Sequence, residues 1–203
     1  MDDSDNKKIG ILLNKTLLGE NLYKITFISK NGSCNNCLKK SKKNSNPFQG
    51  VDLFDTAEFL LKSSKHGGEF LQEIELLESR RKLAFKYDSY LVASEISHLI
   101  DRNSKWLDEE VIRYQLVESS FDKLLENRYA PVVYLKFLFK LVDLEGYPIR
   151  QDWVQDLRSN QADIKKILST TTQYSENYKD KLLIDNSKSS LLHWIRNNTD
   201  FYI

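Results

Sequence analysis

Cys37-Leu-Lys-Lys-Ser-Lys-Lys-Asn-Ser-Asn-Pro-Phe-Gln-Gly-Val-Asp-Leu-Phe-Asp55 is the stretch around which the rest of the chain is arranged. Four of the five residues from position 39 to position 43 are lysines. These side chains cannot be stacked inside a core, because burying an unpaired ammonium group is very unfavourable. Pro47 and Gly50 keep the following backbone irregular. The stretch therefore predicts a solvated loop whose positive charge reaches a partner.

Short runs rich in β-branched and aromatic residues lie on both sides of this loop, as expected for strands. The predicted strands are Ile9–Asn14, Asn21–Ser29, Ser33–Leu38, Val51–Leu61 and Phe70–Leu77. Asn31-Gly32, between the second and third runs, is a strong hairpin signal, and Thr16–Gly19 is a predicted turn. Five short strands within about seventy residues match a small Greek-key barrel such as the OB-fold.

From Arg80 onward the apolar residues recur every three or four positions, which indicates helices. Helices are predicted over residues 87–100, 107–125 and 130–144, with shorter ones over 152–157, 161–168 and 187–198. The third is the most apolar, and Gly146 lies where a left-handed C-terminal cap is expected. The predicted fold is α+β, with an N-terminal OB-fold β-barrel in residues 1–78 followed by an α-helical domain in residues 79–203.

The positive charge is concentrated near the N-terminus. Residues 7–50 hold nine lysines against the single Glu20, although the whole chain has a net charge of +1. Such asymmetry favours a polyanionic partner such as a nucleic acid. A solubilising surface is the alternative interpretation of the same lysines.

No catalytic or metal centre is predicted. Cys34 and Cys37 are the only cysteines. They could form half of a zinc site or a redox pair, but the surrounding sequence favours two small side chains in a strand. The three histidines are scattered, and no phosphate-binding Gly-x-x-x-x-Gly-Lys stretch is present. We expect a protein that is not an enzyme and that needs no cofactor or metal.

No apolar run approaches the roughly 18–20 residues that span a bilayer. The segment Met1–Asn6 is acidic, which is unlike a secretory signal. We therefore expect a cytoplasmic protein without membrane attachment.

Several motifs spread over residues 9–150 resemble those of the bacterial recombination mediator family RecO. Gly10–Glu20 is similar to the family's first strand and turn, and Phe27–Gly32 to its hairpin. Lys39-Lys40-Ser41-Lys42 and Val51–Phe54 resemble its basic loop and the element that follows. Tyr90–Glu95 and Leu144-Glu-Gly-Tyr147 resemble its first and third bundle helices.

Three departures from the family's pattern stand out. Lys40 replaces a loop glycine, and Asp52-Leu53 replaces a Gln-Pro pair. No cysteine follows Cys37, so the four-cysteine zinc site of many members is expected to be absent from the helical domain. The C-terminal part is also short beyond residue 150, so a reduced lobe is expected there.

The resemblance implies a mediator that binds single- and double-stranded DNA and anneals complementary strands. It also implies that the protein helps RecR load RecA on DNA coated by single-stranded DNA-binding protein, in association with the nucleoid. A generic OB-fold module for RNA and a degenerate protein–protein adaptor are the alternatives. The candidate DNA-binding residues are Lys39, Lys40, Lys42, Lys43, Lys15, Lys24, Lys30 and Phe48.

A second partner implied by the family is the C-terminal tail of single-stranded DNA-binding protein, which is acidic and ends in an aromatic residue. Docking of such a tail needs an apolar pocket beside cations. The candidate residues for this tail are Arg80, Arg81, Lys136, Phe137 and Lys140. Solvent-exposed lysines at the edge of an apolar helix are the alternative interpretation.

Overall fold

The computed structural model describes residues 6–42, 47–48, 50–64, 67–107, 110–126, 128–157, 160–169 and 178–203. Within them, the strands are β1 (Asn6–Gly19), β2 (Leu22–Ser29), β3 (Cys34–Lys40), β4 (Thr56–Ser63) and β5 (Glu69–Glu78). A 3-10 helix (Arg81–Phe85) precedes α1 (Tyr87–Asn103), α2 (Val111–Leu125), α3 (Ala130–Leu144), α4 (Trp153–Asp156), α5 (Gln161–Ser169) and α6 (Tyr178–Asn198). The predicted α+β fold, a barrel followed by helices, is confirmed.

The strands form a closed barrel in the order β1-β2-β3-β5-β4. Neighbouring strands are antiparallel except β3 and β5, whose short parallel contact pairs Leu38 with Phe70. Strand β1 pairs with both β2 and β4, and register shifts along it let the long strand curve around the barrel. Inside, the rings of Phe27 and Phe59 stack with their centroids 3.9 Å apart. This arrangement fits an OB-fold barrel.

The predicted hairpin between β2 and β3 is confirmed. Gly32 has φ +89°, which a residue with a side chain rarely adopts, and the Ser29 amide donates to the Ser33 carbonyl at 2.9 Å. The turn also lies directly against the start of α2, because a Cβ atom at Gly32 would be 1.8 Å from the carbonyl oxygen of Glu110. The absence of a side chain therefore lets the barrel approach the helices.

Three local predictions are wrong. The segment Thr16–Gly19 is not a turn, because β1 continues to Gly19, which pairs with Leu22. Strand β4 begins at Thr56 and not at Val51. Lys39 and Lys40 belong to β3 and not to the loop, because their backbones pair with Tyr23 and Leu22 of β2. A strand can hold lysines at its end, where the ammonium groups still reach solvent.

The most apolar helix, α3, occupies the centre of the helical part. Ten of its fifteen residues are buried, and it packs against α1, α2 and α6. Its predicted C-terminal cap is confirmed: Gly146 has φ +82°, and the Tyr147 amide donates to the Val142 carbonyl at 3.2 Å.

The barrel and the helices meet around Arg80, which is fully buried. Its Nε and Nη2 atoms lie 3.0 Å from Asp122 of α2 and Glu78 of β5, and Nη1 donates to the Thr56 hydroxyl at 2.7 Å. The guanidinium group thus joins two strands to α2. Barrel residues such as Ile11 also belong to the apolar core of the helices.

Candidate nucleic-acid interface

The outer face of β2 and β3 carries two lysines at diagonally related positions of the sheet. Ile25 and Cys37 are cross-strand partners, and both are buried in the barrel. Because strand residues alternate between faces, Lys24 and Lys40 lie on the opposite, outer face. Both side chains are exposed, and neither forms an ion pair within the described residues. This face therefore keeps its positive charge.

Lys40 borders a shallow groove of about 290 Å³. Its ammonium group lies 5.9 Å from the centroid of the Phe70 ring, within the range of a cation–π contact. The end of β4 and the start of β5 form the rest of the groove, which is also lined by Lys62, Ser63, Ser64 and Gln72. The groove thus combines cations, hydroxyl groups and one aromatic ring, which are the groups that contact phosphates, sugars and bases.

Lys39 lies on the inner side of β3, unlike its neighbour Lys40. Its ammonium group donates to the carbonyl oxygen of Gln72 at the barrel end. Partial burial lowers the pKa of Lys39 below its usual value, and the nearby Glu73 carboxylate acts in the opposite direction. Lys39 therefore contributes more to the closure of β3 on β5 than to the outer face.

The remaining candidate lysines of the basic stretch and hairpin differ in position. Lys42 follows β3 and is exposed, and it makes contacts of its own. Lys30 is exposed in the hairpin turn, and no ion pair to it occurs in the described part of the chain. Lys43 lies outside the described residues.

Other barrel lysines are neutralised by carboxylates. Lys15 lies 2.7 Å from Asp52 and 5.2 Å from the Phe48 ring centroid. Lys7 lies 2.7 Å from Glu58, and Lys8 lies 3.6 Å from Glu69. Of the eight candidate residues, Lys15 is therefore held by a native partner, which weakens its case as a phosphate contact.

Phe48 was a candidate for base stacking, and the structure places it in the barrel core instead. Only 5% of its surface is exposed, and its ring packs edge-on against Tyr23 with centroids 5.2 Å apart. A ring enclosed in this way offers no face to a base. This role for Phe48 is therefore wrong.

A second basic surface lies in the helical part, where an apolar floor is surrounded by cations. The pocket has a volume of about 590 Å³, and Phe139, Val154 and Leu168 form its floor. Its cationic rim consists of Lys136, Lys140, Arg150, Lys165 and Lys166. Two of the five candidates for partner-tail binding, Lys136 and Lys140, are thus brought together at one pocket.

Like charges act on one another at this pocket. Burial, and then the charges of Lys123 and Lys140, lower the pKa of Lys136 below its usual value. Burial, and then Lys140, also lower the pKa of Lys123. Arg150 is different, because it donates to both carboxylate oxygens of Asp143 at 2.7 and 2.6 Å. An anion bound among the lysines would relieve their mutual repulsion.

Three residues predicted for the partner tail do not line this pocket. Phe137 is buried in the core of the helices, and its place at the pocket is taken by Phe139. Arg80 is buried at the joint between barrel and helices. Arg81 is exposed, but its guanidinium group donates to the carbonyl oxygen of Gly50 in the barrel. The predictions for Phe137 and Arg80 are wrong because both side chains are buried. Arg81 does not line this pocket, and its role in binding a tail stays a prediction.

The cysteines lie in β3 as free thiols. Burial raises the pKa of Cys34 and of Cys37 to about 12, so neither is a thiolate near neutral pH. Among the described residues, no group of three or more metal-ligating side chains comes together. In the same part of the chain, no helix has both the length and the apolar character needed to cross a bilayer.

Sequence reasoning missed several residues of the two surfaces. The sequence predicts Phe70 only as a strand residue and leaves Lys62 just after the predicted strand Val51–Leu61. It predicts Lys165 and Lys166 only as part of a short helix. The pairing of β3 with β5 brings Phe70 to Lys40, and the packing of α5 brings the second lysine pair to the pocket. The Lys165-Lys166 pair on a short amphipathic helix was the one available signal.

The fold and these surfaces define an OB-fold barrel with a basic outer face, joined to helices that carry a second basic pocket. No protein-family model matches the chain, and no curated protein matches it significantly.

Proposed function

We propose that this protein is a recombination mediator of the RecO type. It binds single- and double-stranded DNA, anneals complementary strands and helps RecR load RecA on DNA coated by single-stranded DNA-binding protein. The observation that carries the proposal is the basic groove at Lys40, together with Lys24 on the adjoining strand. Strands 2 and 3 and the loop between strands 4 and 5 are the surface with which OB-folds contact oligonucleotides.

The lysines would contact the phosphates of the DNA backbone. Each phosphate neutralised by an ammonium group releases condensed counterions, so affinity falls steeply as salt rises and depends little on sequence. A surface that neutralises two strands reduces their mutual repulsion and lets complementary bases meet. This is the physical basis for the proposed annealing activity.

The helical pocket supports the proposed contact with single-stranded DNA-binding protein. An acidic tail that ends in an aromatic residue needs cations for its carboxylates and an apolar surface for its ring. Lys136 and Lys140 supply the cations, and Phe139 lies on the apolar floor beside them. RecR and RecA enter the proposal through the resemblance in residues 9–150.

A pair of matched double variants tests the DNA-binding proposal. Lys24→Ala/Lys40→Ala removes two lysines that have no carboxylate partner in the described part of the chain. Lys7→Ala/Lys8→Ala removes two that are paired on the same barrel. Fluorescence anisotropy with labelled single-stranded DNA at several salt concentrations measures the slope of log affinity against log salt. Each phosphate contact contributes about 0.7 to that slope, so the first variant, which removes two lysines, is expected to lower the slope by about 1.4. The second variant is expected to lower it by much less.

The same titrations separate the alternatives. A parent protein with no salt-dependent affinity for DNA would contradict the proposal and favour a protein–protein adaptor. Tighter binding to RNA than to DNA of the same sequence, without acceleration of strand annealing, would favour a generic RNA-binding module.

A further inference from the structure

Two aromatic rings project into solvent where the barrel meets the helices. Phe85 ends the 3-10 helix and is 83% exposed, and Tyr87 begins α1 and is 77% exposed. These are the most exposed large apolar side chains in the described part of the chain. A single exposed apolar residue is ordinary, but two highly exposed rings within three positions form a surface that needs explanation.

Cations surround these rings. Arg81, Lys82 and Lys86 are exposed, and Asp88 is the only acidic residue between positions 79 and 94 in the sequence. Lys82 and Lys86 form no ion pair with any described residue. The surface therefore keeps a positive charge, which complements a polyanion better than it complements an apolar protein partner.

The rings have rigid support. The ring of Phe54 is buried against Tyr90 of α1, with centroids 5.6 Å apart, and against Phe121 of α2 at 5.3 Å. Asp55, which is fully buried, accepts from the backbone amide of Arg80 at 2.6 Å. The segment that carries the rings is thus fixed to the barrel on one side and to the helix layer on the other.

This surface also adjoins the far end of the basic connection between β3 and β4. Arg81 donates to the carbonyl oxygen of Gly50, which lies in that connection, and Lys42 lies at the beginning of the same connection.

We propose that Phe85 and Tyr87 stack on bases of a single-stranded nucleic acid while Lys82 and Lys86 contact its phosphates. The inference rests on the proposed function and adds the element that distinguishes single strands from duplexes. Bases of a duplex are already stacked on one another, whereas those of a single strand present free faces to an aromatic ring. The buried Phe48 cannot supply this contact, and these two rings can.

An abasic oligonucleotide provides the test, because it keeps the phosphates and lacks the bases. Affinities are measured by anisotropy for labelled oligothymidine and for an abasic strand of equal length. The parent is expected to bind oligothymidine roughly 5- to 150-fold more tightly for each stacked base. Phe85→Ala/Tyr87→Ala is expected to lose this preference and to bind the abasic strand as the parent does.

Two further variants serve as controls. Tyr202→Ala removes an aromatic ring that is 66% exposed at the other end of the helical part of the chain, and it should keep the preference for bases. Phe85→Trp/Tyr87→Trp preserves two stacking surfaces and should also keep it. If the tryptophan variant keeps the preference for bases and the alanine variant loses it, the loss is due to stacking and not to a general effect on folding.

The outcomes separate this inference from the proposed function. If the parent binds both strands equally and with a steep salt dependence, DNA binding stands and stacking at these rings is excluded. If the alanine variant keeps the preference for bases, the inference is overturned. A parent that binds neither strand contradicts the proposed function and the inference together. An alanine variant that loses only RecR binding assigns the rings to a protein partner, which also overturns it.

Discussion

Two regions of the molecule carry cations of the same charge in opposite settings. At the joint between barrel and helices, the guanidinium group of Arg80 is fully buried and donates to Asp122, Glu78 and Thr56. On the outer face of the barrel, Lys24 and Lys40 are exposed and have no carboxylate partner among the described residues.

The difference lies in which atoms satisfy the charge. A buried cation must be satisfied by the protein itself, so its energy is used to hold elements together. An exposed cation without a carboxylate is satisfied by water and salt ions, and these can be replaced by phosphates. The joint therefore contributes to stability, whereas under the proposed function the outer face contributes to binding.

The largest expected effect is on the joint. Arg80→Met keeps an apolar stem of similar length but leaves the Thr56 hydroxyl and the Phe54 carbonyl without their donor. We expect the free energy of unfolding to fall by about 3 kcal/mol, because removal of one member of a buried charge network is strongly destabilising. Urea denaturation monitored by tryptophan fluorescence measures this change.

Lys82→Met is the matched control, since Lys82 is an exposed cation two residues along the same segment. Its effect on the free energy of unfolding should stay within about 0.5 kcal/mol. Equal losses in the two variants would remove the distinction between the joint and the surface.

The helical pocket should show an intermediate effect that depends on pH. Burial and neighbouring lysines lower the pKa of Lys136, and a bound carboxylate favours its protonated form. Affinity for an acidic peptide that ends in phenylalanine should therefore decrease as pH rises, starting below the ordinary lysine pKa of about 10.4. Lys136→Gln should weaken binding at pH 7 by about fivefold, or about 1 kcal/mol.

Lys136→Arg provides the corresponding control, because a guanidinium group stays protonated over this range. Peptide affinity in this variant should decrease less than in the parent between pH 7 and about 9, because the remaining lysines of the pocket still titrate at higher pH. Isothermal titration calorimetry at several pH values measures both variants. A decrease of equal size in Lys136→Arg would show that another group titrates and would assign the pocket a different ligand chemistry.

The smallest effect is expected at Lys15, a barrel lysine that is already paired with a carboxylate. Its side chain is 28% exposed, and its ammonium group lies 2.7 Å from Asp52. Asp52→Asn removes the negative charge and leaves Lys15 available for a phosphate, so affinity for single-stranded DNA should rise about two- to threefold. The free energy of unfolding should change by less than about 1 kcal/mol, as for other surface pairs.

The matching change Glu58→Gln, beside Lys7, tests whether any released lysine has this effect. Anisotropy at low salt should show a smaller gain for Glu58→Gln than for Asp52→Asn. Equal gains would mean that net charge alone, and not position on the barrel, governs the affinity.

Much of the fold could be predicted because local chemistry dictates it. Asn31-Gly32 permits the left-handed turn that the hairpin needs, and Gly146 permits the cap that ends α3. The end of β1 was missed because Leu17 and Leu18 are exposed, so this part of the strand lacks an inward-facing pattern. There, pairing with β2 outweighs the local sequence signal.

The candidate sites were less predictable, because neighbouring residues of the same type lie in different surroundings. Arg80 is buried and Arg81 is exposed, and Lys39 and Lys40 lie on opposite sides of one strand. Nothing in their immediate sequence distinguishes the members of each pair. Similarly, Phe139 rather than Phe137 lines the helical pocket, a difference that follows from how α3 is rotated against α4 and α5.

The hairpin glycine has a consequence for how two bound partners would be oriented. Since the backbone of Gly32 lies against Glu110, the barrel cannot turn toward α2 without a steric clash. The close approach at Gly32 therefore limits how far the barrel groove can tilt toward the helical pocket. Under the proposed function, a DNA strand bound on the barrel and a protein tail bound on the helices would therefore have a restricted orientation relative to each other.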